Sequence, residues 1–169
     1  MSVPTCSACG AVLAPAELPT CFTCGPDRAD GDGLRLAPGL LPGSDDRTAC
    51  AWTPHADADV AKTWASVDCP GGWATDLVGR PMVLGSITVA LRRVPAPGEV
   101  CVVTGAAHGT QGRKTSTAAT LWSFGPDAEA GSAGASELLA TAEHVWIAVD
   151  PGTFGSTPDQ GEGRGQQDR

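Results

Sequence analysis

Four cysteines in the first 24 residues have the spacing of a metal site. Cys6 and Cys9 form one C-x2-C pair, Cys21 and Cys24 form another, and eleven residues lie between the pairs. A glycine follows each pair, which lets backbone N–H groups turn toward the sulfurs. Four thiolates in this arrangement suit a tetrahedral Zn²⁺ ion. Such a site is structural, because four protein ligands leave no open coordination position.

Two other uses of these cysteines have to be weighed. Soft thiolates also hold iron in a rubredoxin-like way, although zinc is the better expectation for this spacing. Two disulfides would need an oxidising compartment, whereas the first ten residues have neither a basic nor an apolar stretch typical of a signal peptide. We therefore expect a cytoplasmic protein with reduced thiols. Cys50, Cys69 and Cys101 are isolated in sequence and are expected to be small buried hydrophobic residues.

Composition and charge exclude several classes of function. The chain has 169 residues, 41% of them apolar, with 22 glycines and 14 prolines that favour short elements and many turns. Its formal net charge is −8, which opposes binding to nucleic acid and argues against a zinc-ribbon nucleic-acid binder. No apolar stretch is long enough to cross a bilayer, so no contact with a membrane is expected.

A single helix near the middle of the chain is predicted to position the chemistry. Asp57 or Asp59 can cap a helix that starts near Val60. On this helix Val60, Trp64 and Val67 would share one buried face. Pro70 must end or kink the helix, because proline lacks an N–H and clashes with the preceding turn. A second short helical piece is predicted to include Trp73, Leu77 and Val78.

Strands are predicted on both sides of this helix. Two short strands precede it, at Gly33–Leu36 and Thr48–Thr53. In the strand predicted after it, Val83, Ile87, Val89 and Leu91 alternate with smaller or polar residues. A turn is predicted at Gly109–Gly112. The strands predicted after the helix cover residues 81–94, 99–107, 113–124 and 138–149. In the last strand both faces carry bulky residues, so both faces are expected to be covered.

Several pieces of this region resemble small acyl-CoA thioesterases of the hotdog superfamily, of the phenylacetyl-CoA thioesterase-like kind. The similar pieces are Trp64–Ala74, Pro81–Gly85, Gly112–Lys114 and Trp146–Asp150. The resemblance implies an α+β hotdog fold, in which an antiparallel sheet wraps around a central helix, here with an added four-cysteine zinc-ribbon-like knuckle. The predicted organisation is a knuckle and linker at 1–32, a hotdog domain at 33–155 and a disordered tail at 156–169.

In such thioesterases a carboxylate on the central helix acts as base or nucleophile, and the matching position here is Asp68. Backbone N–H groups beyond the helix break could bind an anion, and Gly71 and Gly72 would allow a ligand to approach closely. The competing interpretation is that Asp68 only caps the break and bonds those N–H groups. Many of these enzymes also carry a His-Gly-Gly run before the helix, which this chain lacks. His55 lies nearby and is either a substitute oxyanion donor or a surface histidine.

The resemblance also favours Arg113 and Lys114 as ligands for the phosphates of coenzyme A. Arginine offers a planar fork and lysine a point charge, both suited to phosphate. The alternative is a solvated hairpin end, which is equally reasonable for a second basic pair, Arg92 and Arg93. Some hotdog thioesterases also carry a run similar to Cys21–Gly25 without binding metal, so the pair formed by Cys6 and Cys9 is what favours a metal here.

The sequence therefore predicts hydrolysis of an acyl-CoA or carrier-bound acyl thioester. Zinc would be structural, and coenzyme A would enter as part of the substrate. The alternative is a non-catalytic hotdog protein that binds an acyl or CoA ligand or a partner protein, with the knuckle as a docking element. In either case a homodimer or higher homo-oligomer is expected, because hotdog folds cover their second face with a partner subunit.

Overall fold

The structure, a computed structural model, describes residues 12–13 (backbone only), 18–29, 31–124 and 136–150. Cys6, Cys9 and the tail predicted at 156–169 lie outside these ranges. Two short helices, α1 (Val60–Ser66) and α2 (Cys69–Trp73), follow the first three strands of one sheet. The strands are β1 (Val12–Leu13), β2 (Gly39–Leu40), β3 (Arg47–Trp52), β4 (Met82–Leu91), β5 (Val100–Gln111), β6 (Lys114–Phe124) and β7 (Ser136–Ala148).

The sheet order within the described residues is β1-β2-β3-β5-β6-β7-β4, and every neighbouring pair is antiparallel. The four long strands after the helices occupy one end of this order. Helix α2 packs across β3, β5 and β6. One sheet packed on a central helical segment is the α+β architecture that the sequence predicted.

Helix α1 begins where the capping residue predicts. The Asp59 carboxylate accepts a hydrogen bond from the backbone N–H of Lys62 at 2.8 Å and so satisfies one of the free N–H groups of the first turn. The other candidate cap, Asp57, instead forms an ion pair with the Lys62 ammonium group. The start near Val60 is as predicted, and of the two candidate caps the structure selects Asp59.

The buried face of α1 differs from the prediction. Val67 is fully buried, but Val60 and Trp64 are 54% and 38% exposed. The face turned inward carries Thr63 and Ser66 instead. Their hydroxyl groups donate to carbonyls of the preceding turn at 2.7 Å, which removes most of the cost of burying a polar group.

Pro70 directly follows the break between the two helices, where the sequence predicted an end or a kink. It lies in the first turn of α2, where an N–H group would have no partner within the helix, so proline costs no helical hydrogen bond there. Its carbonyl accepts from the Thr48 hydroxyl at 2.7 Å. A Cβ on Gly105 of β5 would lie 2.0 Å from the same oxygen, so only glycine lets the helix approach the sheet this closely. Leu77 and Val78, predicted to extend this helix, lie beyond its end in a turn.

Residues Gly33–Leu36 do not form the predicted first strand. The N–H groups of Leu34 and Leu36 donate to the carbonyls of Phe22 and Thr23, both at 2.8 Å. Between them Arg35 has a φ of +49°, which an extended strand cannot contain. The segment therefore pairs with the Cys21–Cys24 loop rather than with the sheet.

Two strand predictions need correction because of irregular pairing. Strand β5 runs on through the turn predicted at Gly109–Gly112, with a register shift between Ala107 and Gly109, and the chain reverses only after Gln111. In β4 a shift between Leu84 and Ser86 reverses the alternation of faces.

Because of the β4 shift, Val83 is 39% exposed, although the sequence placed it with the residues that pack against the core. Ile87, Val89 and Leu91, on the other side of the shift, do pack there. The centre of the core comes from β5, β6 and β7, with Val103, Leu121 and Leu139 fully buried. Cys50 and Cys101 are buried as predicted. Among the described residues, no helix is long and apolar enough to cross a membrane.

Candidate functional site

Asp68 lies in the junction between the two helices. It occupies the N-cap position of α2, yet its side chain makes no capping hydrogen bond. Its Oδ1 atom is buried and has no hydrogen-bond partner among the described residues. Burial raises the pKa of Asp68 to about 6, and the nearby charge of Cys21 adds to this. The capping interpretation required this carboxylate to accept hydrogen bonds from N–H groups of α2, and the structure shows no such bond.

Gly71 and Gly72 are buried against the sheet. A Cβ on Gly71 would lie 2.8 Å from both His144 Nδ1 and Thr117 Oγ1, and one on Gly72 would lie 2.8 Å from the Trp146 ring. In the structure these glycines therefore let the backbone of α2 lie close to side chains of β6 and β7. Their predicted contact with a ligand stays a prediction.

A buried hydrogen-bond chain holds the junction on the sheet. His144 Nε2 lies 2.8 Å from the Val67 carbonyl oxygen, which can only accept, so Nε2 carries the proton. His144 Nδ1 then accepts from the Thr117 hydroxyl at 3.0 Å, and that hydroxyl accepts from Trp146 Nε1 at 3.0 Å. Burial lowers the pKa of His144, which agrees with a neutral ring.

The sequence by itself indicates no role for His144. The available signal was the strand alternation that places it on the same face as Trp146. In the structure that face is buried, together with Ala140 and Ala142. His144 hydrogen-bonds the carbonyl of Val67, the residue before Asp68, and thereby helps to position the Asp68 carboxylate.

His55 is exposed in the loop before α1, where its carbonyl accepts from the Ala58 N–H at 3.0 Å. The whole of α1, about 10 Å long, separates it along the chain from Asp68. No hydrogen bond joins the two side chains in the described structure. The role of His55 as an oxyanion donor stays a prediction.

The predicted phosphate ligands lie at the turn between β5 and β6. Arg113 and Lys114 are both exposed, and Arg113 Nε donates to the Ala148 carbonyl at 3.1 Å. The structure adds Arg80, whose guanidinium donates to the Gly112 carbonyl at 2.7 Å and to the Thr115 hydroxyl at 2.8 Å. Three cations thus meet at this turn. Sequence reasoning missed Arg80 because 32 residues separate it from Gly112.

The second basic pair has a different environment. Arg93 forms ion pairs with Glu99 at 2.7 Å and with Glu137 at 2.6 Å. The charge of Arg93 is therefore balanced by two carboxylates of the protein, which favours a structural role for Arg93 over a role in binding phosphate. Arg92 is exposed.

Cys69 joins two of the predicted metal ligands. The sulfurs of Cys21, Cys24 and Cys69 all lie within 4.8 Å of one another, and those of Cys21 and Cys69 are 3.5 Å apart. Trp73 Nε1 donates to Cys24 Sγ at 3.4 Å. Cys69 is buried, as predicted, but its sulfur faces this cluster instead of an apolar core. Three clustered thiol groups could hold a metal ion.

The thiol groups of the cluster influence one another. Hydrogen bonds from the side chains of Cys24 and Cys69 lower the pKa of Cys21, and the N–H groups of Cys24 and Thr23 act in the same direction. The same contacts with Cys21 and Cys24 raise the pKa of Cys69. The cluster therefore favours one thiolate surrounded by hydrogen-bond donors.

No protein-family model matches the sequence, and no curated protein was found to be similar. Solved structures do match. A Streptococcus mutans protein bound to acetyl-CoA has a TM-score of 0.55 at 7% identity, over 68% of this chain and 88% of that one. A hypothetical thioesterase from Streptococcus pneumoniae with coenzyme A has a TM-score of 0.51 at 7% identity, over 63% and 80%.

The PaaI protein from the phenylacetic acid degradation operon of Escherichia coli has a TM-score of 0.52 at 9% identity, over 66% of this chain and 82% of that one. At such low identities these likenesses establish the fold and leave the activity open. The chain has the hotdog fold found in structures of the thioesterase superfamily. That fold was the prediction made from the sequence.

Proposed function

We propose that this protein hydrolyses the thioester bond of an acyl-CoA or of a carrier-bound acyl group. The observation that carries the proposal is the Asp68 carboxylate, which is half-buried at the helix junction and whose Oδ1 has no hydrogen-bond partner among the described residues. A buried carboxylate oxygen that no described group satisfies is suited to accept a proton from a bound water. The hotdog fold, shared with structures that contain coenzyme A, supports the substrate class.

In this reaction Asp68 acts as a general base. Water attacks the thioester carbonyl carbon and gives a proton to the Asp68 carboxylate. The carbonyl oxygen of the substrate thereby becomes an oxyanion. The carbonyl re-forms as the C–S bond breaks, and the proton returns to the departing thiolate. In the alternative route Asp68 attacks the carbonyl carbon itself and the C–S bond breaks with release of the thiolate; water then hydrolyses the resulting anhydride.

The oxyanion requires hydrogen-bond donors. N–H groups in the first turn of a helix have no partner inside that helix, and Gly71 lies in the first turn of α2. We propose that N–H groups of this turn, with Gly71 and Gly72 as the candidates, stabilise the oxyanion. His55 is the second candidate donor.

Arg113 and Lys114, with Arg80 beside them, are proposed to hold the phosphates of coenzyme A. Contacts far from the scissile bond bind substrate and transition state alike, so Arg113→Ala or Lys114→Ala should raise KM and leave kcat nearly unchanged. Steady-state kinetics on the best acyl-CoA measures both constants. Arg92→Ala, which removes an exposed cation elsewhere, is the control, and an equal KM increase in that variant would contradict the assignment.

A panel of short, long and aryl acyl-CoA substrates tests the activity itself, and Asp68→Asn tests the base. The amide keeps the shape of the side chain but cannot take a proton, so kcat should fall about a hundredfold or more while KM changes little. Asp45→Asn removes the same charge from an exposed turn and should behave like the wild type. Full activity of Asp68→Asn would direct the search to His55 and Asp59.

One observation favours a second function, the binding of a CoA or acyl ligand without hydrolysis. The chain lacks a His-Gly-Gly run before α1, and the histidine that the structure places at the junction, His144, is fully engaged in a buried hydrogen-bond chain. Binding of coenzyme A or of an acyl chain, measured by calorimetry, together with no turnover on any thioester of the panel, would establish this second function.

A further inference from the structure

We propose that Cys21, Cys24 and Cys69 together bind one Zn²⁺ ion, which fastens the loop of the N-terminal segment to the junction between α1 and α2. The site differs from a knuckle built only of the two C-x2-C pairs, because one ligand comes from the helix junction. It stands independently of the proposed hydrolysis.

The spacing of the sulfurs fits a tetrahedral ion. Zinc–sulfur bonds of about 2.3 Å place two sulfurs of a tetrahedral site about 3.8 Å apart. The sulfurs of Cys21 and Cys69 are 3.5 Å apart, and all three lie within 4.8 Å of one another. Changes of about 1 Å or less in the sulfur–sulfur distances would bring them to the bonding geometry. The cysteines are free thiols, as metal binding requires.

The surroundings also suit a metal centre. Trp73 Nε1 donates to Cys24 Sγ at 3.4 Å. Donors to ligand sulfurs are typical of the outer shell of a metal site, where they stabilise the negative charge of the thiolates. Cys21 and Cys24 are half-buried and Cys69 is buried, so an ion can reach the cluster from the side of the loop.

The loop is already shaped to present its two thiols. Gly25 N–H donates to the Cys21 carbonyl at 2.9 Å, and a Cβ on Gly25 would lie 2.5 Å from that oxygen, so only glycine fits. The Thr23 hydroxyl donates to the Ala65 carbonyl in α1 at 3.1 Å. The loop is thus held against α1 by contacts that do not involve sulfur. Three sulfurs leave one tetrahedral position for a further ligand.

Zinc content of the full chain, purified under reducing conditions, gives the first test, with about one ion expected per chain. Cobalt titration of the metal-free protein gives the second, and should produce sulfur-to-cobalt charge-transfer absorption with the visible bands of a tetrahedral ion. Because loss of an outer-shell partner already weakens binding 10–100-fold, about hundredfold weaker binding or more is expected for Cys69→Ser. Cys101→Ala, a buried cysteine outside the cluster, should keep the metal.

Two results would overturn the proposal. The first is a reduced wild-type protein that contains no zinc and gives no cobalt absorption. The second is a Cys69→Ser variant that keeps its zinc while a Cys6→Ser, Cys9→Ser double variant loses it, since the two C-x2-C pairs would then form the site alone. X-ray absorption of the wild-type zinc complex adds a test that needs no variant, because fewer than three sulfur ligands would contradict the assignment.

Discussion

The buried hydrogen-bond chain at the helix junction depends on the hydroxyl group of Thr117. It is the shared partner of His144 Nδ1 and Trp146 Nε1, and all three side chains are buried. A hydroxyl can donate one bond and accept another, so this position satisfies both neighbours at once. Neither valine nor alanine could do the same.

We therefore expect Thr117→Val to destabilise the protein by about 2 kcal/mol or more, because an acceptor and a donor lose their partner without access to water. Thr117→Ser keeps the hydroxyl and should lose much less. Urea unfolding of the three proteins measures the free energies. Equal losses in the two variants would show that the methyl group, and not the hydroxyl, is what matters at this position.

Between elements, Arg93 connects the end of β4 to β5 and β7. Its guanidinium contacts Glu99, just before β5, at 2.7 and 2.9 Å and Glu137, on β7, at 2.6 Å. Glu99 also accepts from the Ala96 N–H at 2.7 Å. Arg93 thus lowers the pKa of Glu99 from its ordinary value of 4.5 to about 2. A chain reversal with two prolines is held against the sheet in this way.

This shift has a defined consequence for acid stability. Because the pKa of Glu99 is lower in the folded state, its contribution is complete above about pH 4.5 and disappears as the pH falls toward 2. We expect Glu99→Gln to be about 1 kcal/mol less stable than the wild type at pH 7, since solvent screens much of the interaction.

That difference should shrink between about pH 4.5 and pH 2. Urea unfolding at several pH values measures it. Glu143→Gln, an exposed position on β7, is the control. A difference between wild type and Glu99→Gln that does not change with pH would mean that Glu99 acts through packing rather than charge.

At the scale of the whole molecule, the described structure leaves surfaces that suit self-association. β4 is at one end of the sheet order, so one of its edges has no neighbouring strand among the described residues. Val60, Trp64 and Val83 are exposed apolar side chains. Sheet edges and apolar patches of this kind are commonly covered by a second subunit.

We therefore expect at least a homodimer, with the site formed at or near the subunit contact. Light scattering coupled to size exclusion at micromolar concentration measures the mass. A monodisperse monomer under these conditions would contradict the expectation. It would also place the whole of any thioester site within one chain.

The sequence alone determined the features that depend on neighbouring residues. A helix cap at Asp57 or Asp59, the break at Pro70 and the pair formed by Cys21 and Cys24 follow from residues within a few positions of one another in the chain. Most of the long strands followed from their alternation of apolar residues. The hotdog order was then recognisable from a helix followed by strands, together with short stretches of resemblance.

Only the tertiary structure decided which distant groups meet. Cys69 lies 48 residues from Cys21, and His144 lies 77 residues from Val67, yet each pair is in contact. The exposure of Val83 depends on a register shift in β4 that no local pattern announces. Helical and strand periodicities specify which residues share a face, but the neighbour of that face is set by strand register and by how closely the helix approaches the sheet.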